Sequence, residues 1–112
     1  MPCFGHMLYP EGDPRGRVLL AMVAKAKPRS KAVRLARSVT AESSRLIGEE
    51  PTIDLALAVA ELALQLPRGA GLALFALGRS AGWIAHALEQ YATGEMIRPR
   101  ATYVGVLPAA TE

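Results

Sequence analysis

The sequence has one cysteine, Cys3, and two histidines, His6 and His86. A single thiol excludes an internal disulfide. So few His and Cys residues leave no zinc-ligand spacing, and no metal site is expected. Aromatic residues make up 5% of the 112-residue chain, which offers little for nucleobases to stack on. Thirteen Lys and Arg stand against ten Asp and Glu, a formal net charge of +3. That excess is mild and forms no dense block, so nucleic acid is not an expected partner. The opening Met1-Pro-Cys-Phe-Gly-His6 has no basic start followed by an apolar run, so no secretory leader is read there. The apolar run Leu72–Leu77 falls far short of the ~20 residues of a membrane span, and Arg79 and His86 interrupt its continuation. No membrane partner is expected. The chain should be soluble and cytoplasmic, in a reducing setting that suits a free thiol. Neither Gly-x-Gly-x-x-Gly nor a P-loop is present, and Gly69-Ala-Gly71 is too short to cradle a phosphate.

What the chain does have is aliphatic residues. Hydrophobic residues make up 51% of it, enough to argue against disorder. With few aromatics, the core must be Ala, Leu, Val and Ile, a composition that favours helices. The pattern predicts an all-α chain of about four helices. Residues 1–12, punctuated by Pro2, Gly5, Pro10 and Gly12, read as a loop. Asp13-Pro14 is a helix start, with a capping carboxylate before a proline at the first helical position. The first helix runs from Pro14 to about Ala26, with Val18, Leu19, Met22 and Val23 at helical spacing. Pro28 stops it. A second helix starts at Ser30 and ends near Ile47, with Ala32, Leu35, Val39 and Leu46 as its inner face and Lys31, Arg34, Arg37 and Arg45 outside. Thr52 is positioned to cap a third, Ile53 to Gln65, which is apolar nearly all round and wants burial on most sides. A fourth runs from about Leu72 to Thr93, ended by Gly94. The tail from Glu95, with Pro99 and Pro108 around Thr102-Tyr-Val-Gly, reads as extended: a short strand or an arm. The third and fourth helices carry more apolar surface than four helices can cover.

Four places could carry chemistry. His6 follows a glycine on a loop, and Arg15 sits in the first turn of a helix. A carboxylate or phosphate would be welcome at Arg15, met by guanidinium and helix N-terminus together. Taken alone, both also read as an exposed loop histidine and a solvated charge. Asp54 opens an apolar helix. It is either an ordinary first-turn acid or a carboxylate with base character raised by apolar surroundings. Arg79 lies within an apolar helix, where a charge costs free energy unless a protein carboxylate or a ligand meets it. His86, seven residues on, reads as a structural hydrogen-bonding residue. Arg98 and Arg100, in the tail, read as solvated charge.

In order, these segments resemble the C-terminal part of citrate synthases, including the bacterial 2-methylcitrate synthases. Phe4-Gly-His-Met-Leu-Tyr-Pro-Glu-Gly-Asp-Pro-Arg15 is similar to the family's Gly-Phe-Gly-His…Asp-Pro-Arg loop. Thr52-Ile-Asp-Leu55 is similar to its Asn-Val-Asp-Phe segment. Leu77-Gly-Arg-Ser-Ala-Gly-Trp-Ile-Ala-His-Ala-Leu-Glu-Gln90, followed by Ile97-Arg-Pro-Arg100, is similar to its last long helix and tail.

The resemblance implies roles. His6 binds oxaloacetate and polarises its ketone. Asp54 takes a proton from the methyl group of acetyl-CoA. Arg15 and Arg79 hold oxaloacetate carboxylates, and Arg98 is donated across a dimer into the neighbouring site. Leu8, Tyr9, Pro10, Glu11, Gly12 and Asp13 lie in the loop that meets CoA. No cofactor is tightly bound, and coenzyme A is part of the substrate. Residues 1–66 correspond to part of the small lid domain, and residues 67–112 to the last helix and arm of the large one. The family also uses a His in an upstream Gly-x-x-His-Gly segment to stabilise the enol, and these 112 residues contain no such segment. Cys3 stands where the family usually has glycine, and Gly48-Glu-Glu-Pro51 lacks lysines that some members place there. The expectation is a citrate synthase-type acyl transfer performed with the missing large-domain segment or a second polypeptide, as a homodimer when complete. The alternatives are an inactive remnant, a dicarboxylate- or CoA-binding module, and a helical protein stabilised by self-association.

Overall fold

The computed structural model describes residues 3–96, 98, 101, 102, 104 and 105. They form an all-α chain: α1 (Pro14–Ala26), α2 (Lys31–Ile47), α3 (Ile53–Ala63) and α4 (Ala70–Thr93). Contacts divide the chain within α4, into one unit through Ala81 and another from Gly82. The second unit holds the end of α4 and a tail that is neither helix nor strand where it is described. Residues 97, 99, 100, 103 and 106–112, part of the expected arm, lie outside the described residues.

In the first unit α3 is the hub. It packs against α1 and α2, which scarcely touch each other. Val23, Val33, Ala36, Val59, Ala60 and Ala63 form the buried cluster, with Leu19, Leu20 and Leu55 against it. Gly16 is the point of closest approach. A Cβ there would lie 2.8 Å from the backbone of Thr52, so only glycine lets the start of α1 meet the start of α3.

The helix ends follow local chemistry. Ser30 accepts the N–H of Ala32 to cap α2, and Gly48 (φ 67°) and Gly94 (φ 61°) close α2 and α4 in the left-handed region. The third helix stops at Ala63, short of the expected Gln65. Gln65 takes a left-handed φ of 56°, and Leu66 N–H bonds back to Glu61 C=O at 2.9 Å, a Schellman-type stop.

The expected inner face of α2 is corrected. On α2, Leu35 and Leu46 are exposed, and Val33, Ala36 and Ser43 are buried instead. Of the four α1 residues at helical spacing, Val23 is buried and Leu19 packs against the core, while Val18 and Met22 are exposed. In α2 the buried stripe is turned by about a quarter of the circumference from the larger aliphatics, at 100° per residue. The cause is packing distance: small residues let α1 and α2 lie close on α3, and the larger ones are left on the outer face.

Candidate functional site

The N-terminal segment is tied to the start of α3 by an antiparallel bridge between Phe4 and Pro51. Gly5 N–H donates to Glu50 C=O at 3.0 Å, and Thr52 N–H donates to Cys3 C=O at 2.9 Å. Proline lacks a donor but sits between these two bonds, so it does not break them. Phe4, Pro51 and Thr52 are buried here. The pairing places the loop carrying His6 beside the helix start carrying Asp54.

His6 is half-buried. Its Nδ1 accepts the backbone N–H of Leu8 at 3.1 Å. A neutral His6 therefore keeps its proton on Nε2 and donates from that edge. Its ring leans on Tyr9, centroids 5.0 Å apart, and Tyr9 in turn lies 5.0 Å from Arg15 Cζ, within cation–π range. Leu8, Pro10 and Glu11 of the same loop are exposed, and Tyr9 and Gly12 half-buried.

Asp13 differs from its loop neighbours: it is 2% exposed. One oxygen accepts Arg15 N–H at 3.0 Å and Arg15 Nε–H at 2.9 Å. The other accepts Arg15 Nη2–H at 2.9 Å and Ile53 N–H at 3.0 Å. One carboxylate thus caps α1, caps α3 from 40 residues away, and forks a guanidinium. Its hydrogen bonds from Arg15 hold the carboxyl at about 2, against an ordinary 3.8. Burial opposes that shift, and the Ile53 and Arg15 amides and the Arg15 charge add to it. Arg15 is correspondingly raised, first by the Asp13 hydrogen bonds, against burial, and further by the charges of Asp13 and Asp54. The expected cap, Thr52, makes no capping bond. Its hydroxyl donates to Asp54 Oδ2 at 3.3 Å instead, which leaves the cap to Asp13.

Asp54 is exposed; the apolar enclosure considered for it is not formed by the described residues. Arg79 is also exposed and makes no ion pair among the described residues. The burial cost expected of it does not arise, because that face of α4 is open. Arg15 and Arg79 nevertheless line one cavity of about 470 Å³, floored by Leu19, Ile53, Leu57, Leu74 and Phe75. Asp54 lines an adjoining cavity that shares Leu57 and Phe75. The first unit therefore brings Arg15 and Arg79 to one cavity and Asp54 to the next, by the starts of α1 and α3, while His6 lines neither and is linked to Arg15 through Tyr9. Arg98 is exposed and belongs to the second unit, as does His86, whose Nδ1 lies 3.2 Å from Glu89 Oε2.

Sequence reasoning missed Asp13 as the joint of this site and Gly16 as its spacer. The only signal for either was Asp13-Pro14, which marks a helix start and says nothing of the second helix it caps. Among the described residues there is no cluster of His, Cys, Asp and Glu able to hold a metal, and no helix is long and apolar enough to cross a membrane.

Comparison with known proteins identifies the family. The family model described as citrate synthase, C-terminal domain, matches residues 1–100. "Citrate synthase 2" of Bacillus subtilis is 34% identical over 109 residues, covering 91% of this chain and 28% of its own length. "Putative citrate synthase 2" of Mycobacterium tuberculosis is 36% identical over 118 residues, covering 97% of this chain and 31% of its own. "2-methylcitrate synthase" of Shewanella oneidensis is 32% identical over 109 residues, covering 94% and 29%. The chain spans about three-tenths of the length of the curated relatives it matches.

Proposed function

Because the chain belongs to the citrate synthase family, we propose that it supplies the oxaloacetate-binding and proton-abstracting part of a citrate synthase-type site. The reaction is condensation of acetyl-CoA with oxaloacetate to citrate and CoA, carried out with a large-domain segment on the same or another polypeptide. The observation that carries this reading is the pairing of Arg15 and Arg79 in one cavity, next to the helix start bearing Asp54. A dicarboxylate needs two or more guanidinium forks, and a weak carbon acid needs a carboxylate held in register with them.

The steps follow from these groups. Asp54 takes a proton from the acetyl methyl carbon. The resulting enolate carbon attacks the ketone carbon of oxaloacetate. The ketone π electrons move to its oxygen, which His6 polarises and then protonates from Nε2, and solvent returns the proton from Asp54 to His6. Water then cleaves the thioester, releasing CoA. Arg15 and Arg79 hold the carboxylates and orient the ketone, and Arg98 reaches the neighbouring site of a homodimer. The loop Leu8–Asp13 meets CoA, and residues 1–66 move as part of a lid over residues 67–112 and the large domain. Propionyl-CoA is the alternative donor: its extra methyl group would give a methylcitrate, the product that one relative is named for.

The test is complementation. The chain is mixed with a polypeptide holding the upstream part of the Bacillus subtilis relative, and thiol release from acetyl-CoA and oxaloacetate is followed. The chain alone should release none, because it lacks the enol-stabilising His. The mixture should be active, and Asp54→Asn should lower its rate by at least about 100-fold. An inert mixture, together with no calorimetric heat from oxaloacetate on the chain, would overturn the proposal. Turnover by the chain alone would overturn the role given to the upstream His.

A further inference from the structure

Asp13 accepts four N–H bonds, two on each oxygen, and is buried. Among the described residues of the first unit, no other side chain joins two helix starts. Its partner Arg15 has five N–H donors. Asp13 takes Nε–H and one Nη2–H. Three donors are left: both on Nη1 and the second on Nη2. One from each nitrogen forms a second parallel pair at the end of the guanidinium, the geometry that accepts a carboxylate through two bonds. Tyr9 sits 5.0 Å from Cζ over one face. The guanidinium is thereby fixed in plane and in rotation.

We infer that Asp13 is a positioning residue that turns the Nη1/Nη2 end of Arg15, and not its Nε edge, toward a ligand carboxylate. The ligand half of this inference rests on the reading of Arg15 given above. The hold itself does not. Because the same carboxylate caps Ile53, it also keeps Arg15 in register with Asp54, the next residue on α3. A lysine at position 15 could not substitute, since it offers a point charge with no fork. An asparagine at position 13 could not either. Each carboxylate oxygen accepts two N–H groups, so whichever way the amide turned, two donors would face its NH2.

The experiment uses the full chain with labelled arginine side chains and follows exchange of each Nε–H with solvent by NMR. Arg15 Nε–H should exchange at least about tenfold more slowly than that of the exposed Arg37, as a charge-assisted bond of ordinary strength requires. In Asp13→Asn the difference should vanish and the calorimetric affinity for oxaloacetate should fall about tenfold, with the helical circular dichroism retained. Should that variant fail to fold, Asp13→Ser, which keeps a helix cap, carries the same expectation. Arg79→Lys should leave Arg15 exchange unchanged. The inference is overturned if Arg15 Nε–H exchanges as fast as Arg37 in the unmodified chain, or stays slow without Asp13. Slow exchange that depends on Asp13, with no heat from oxaloacetate in the unmodified chain, would uphold the hold and overturn the ligand reading.

Discussion

α3 and the part of α4 that follows it, both rich in Ala and Leu, end up in opposite environments. α3 buries Ala56, Leu57, Val59, Ala60 and Ala63. α4 buries only Gly71, and leaves Leu72 (74%) and Leu77 (78%) open. The difference is the number of neighbours. α3 lies between α1 and α2. α4 is fastened at its start, where Glu61 accepts the N–H groups of Gly69 and Gly71. Apolar content therefore says that a helix wants cover, and position in the chain of contacts says whether it gets it. In the proposed function, the missing large-domain segment provides that cover for α4.

That contrast can be broken at its joints. Asp13→Ala removes the cap of α1, the cap of α3 and the Arg15 fork at once, and should cost on the order of 3 kcal/mol in urea unfolding of the chain. The same group gives an acid limit. Its folded pKa lies below its unfolded one, so its contribution is complete above about pH 4 and disappears as pH falls through about 2. Stability should rise across that window by roughly 2 kcal/mol. Asp13→Asn should flatten this slope, and an unchanged slope would assign the acid limit to other carboxylates.

Gly16→Ala sharpens the comparison from the α1–α3 side. With a Cβ 2.8 Å from Thr52 backbone, it should destabilise by about 2 kcal/mol and lower oxaloacetate affinity along with stability. Cys3→Gly should act in the opposite sense. Cys3 holds a left-handed φ of 67°, so glycine should relieve about 1 kcal/mol, read as a raised melting temperature. The smallest effect belongs to α4. Leu77→Ser should change unfolding free energy by less than about 0.5 kcal/mol while reducing self-association in ultracentrifugation. A loss as large as that of a core residue would mean that Leu77 is covered in solution.

The helices were readable from the chain, and the reason is local. Asp13-Pro14, Ser30, Gly48 and Gly94 set the ends through caps and left-handed turns that need few neighbours. The family was readable because its motifs keep order and spacing from Phe4 to Arg100. The burial of faces was not. Leu35 and Leu46 look like core residues, but the distance between α2 and α3 selects Val33, Ala36 and Ser43.

The site divides the same way. Sequence by itself determined which residues carry charge and proton donors: His6, Arg15, Asp54, Arg79 and Arg98. It also determined that Asp13 begins a helix, because a carboxylate before proline can serve that role from its own position. Only the tertiary structure decided that Asp13 also caps α3, that Gly16 spaces α1 from Thr52, and that Arg15 and Arg79 share a cavity. Those depend on residues far apart in the chain, 40 positions in the case of Asp13 and Ile53, being brought together. Such closeness is a property of packed helices, which no local pattern in the chain encodes.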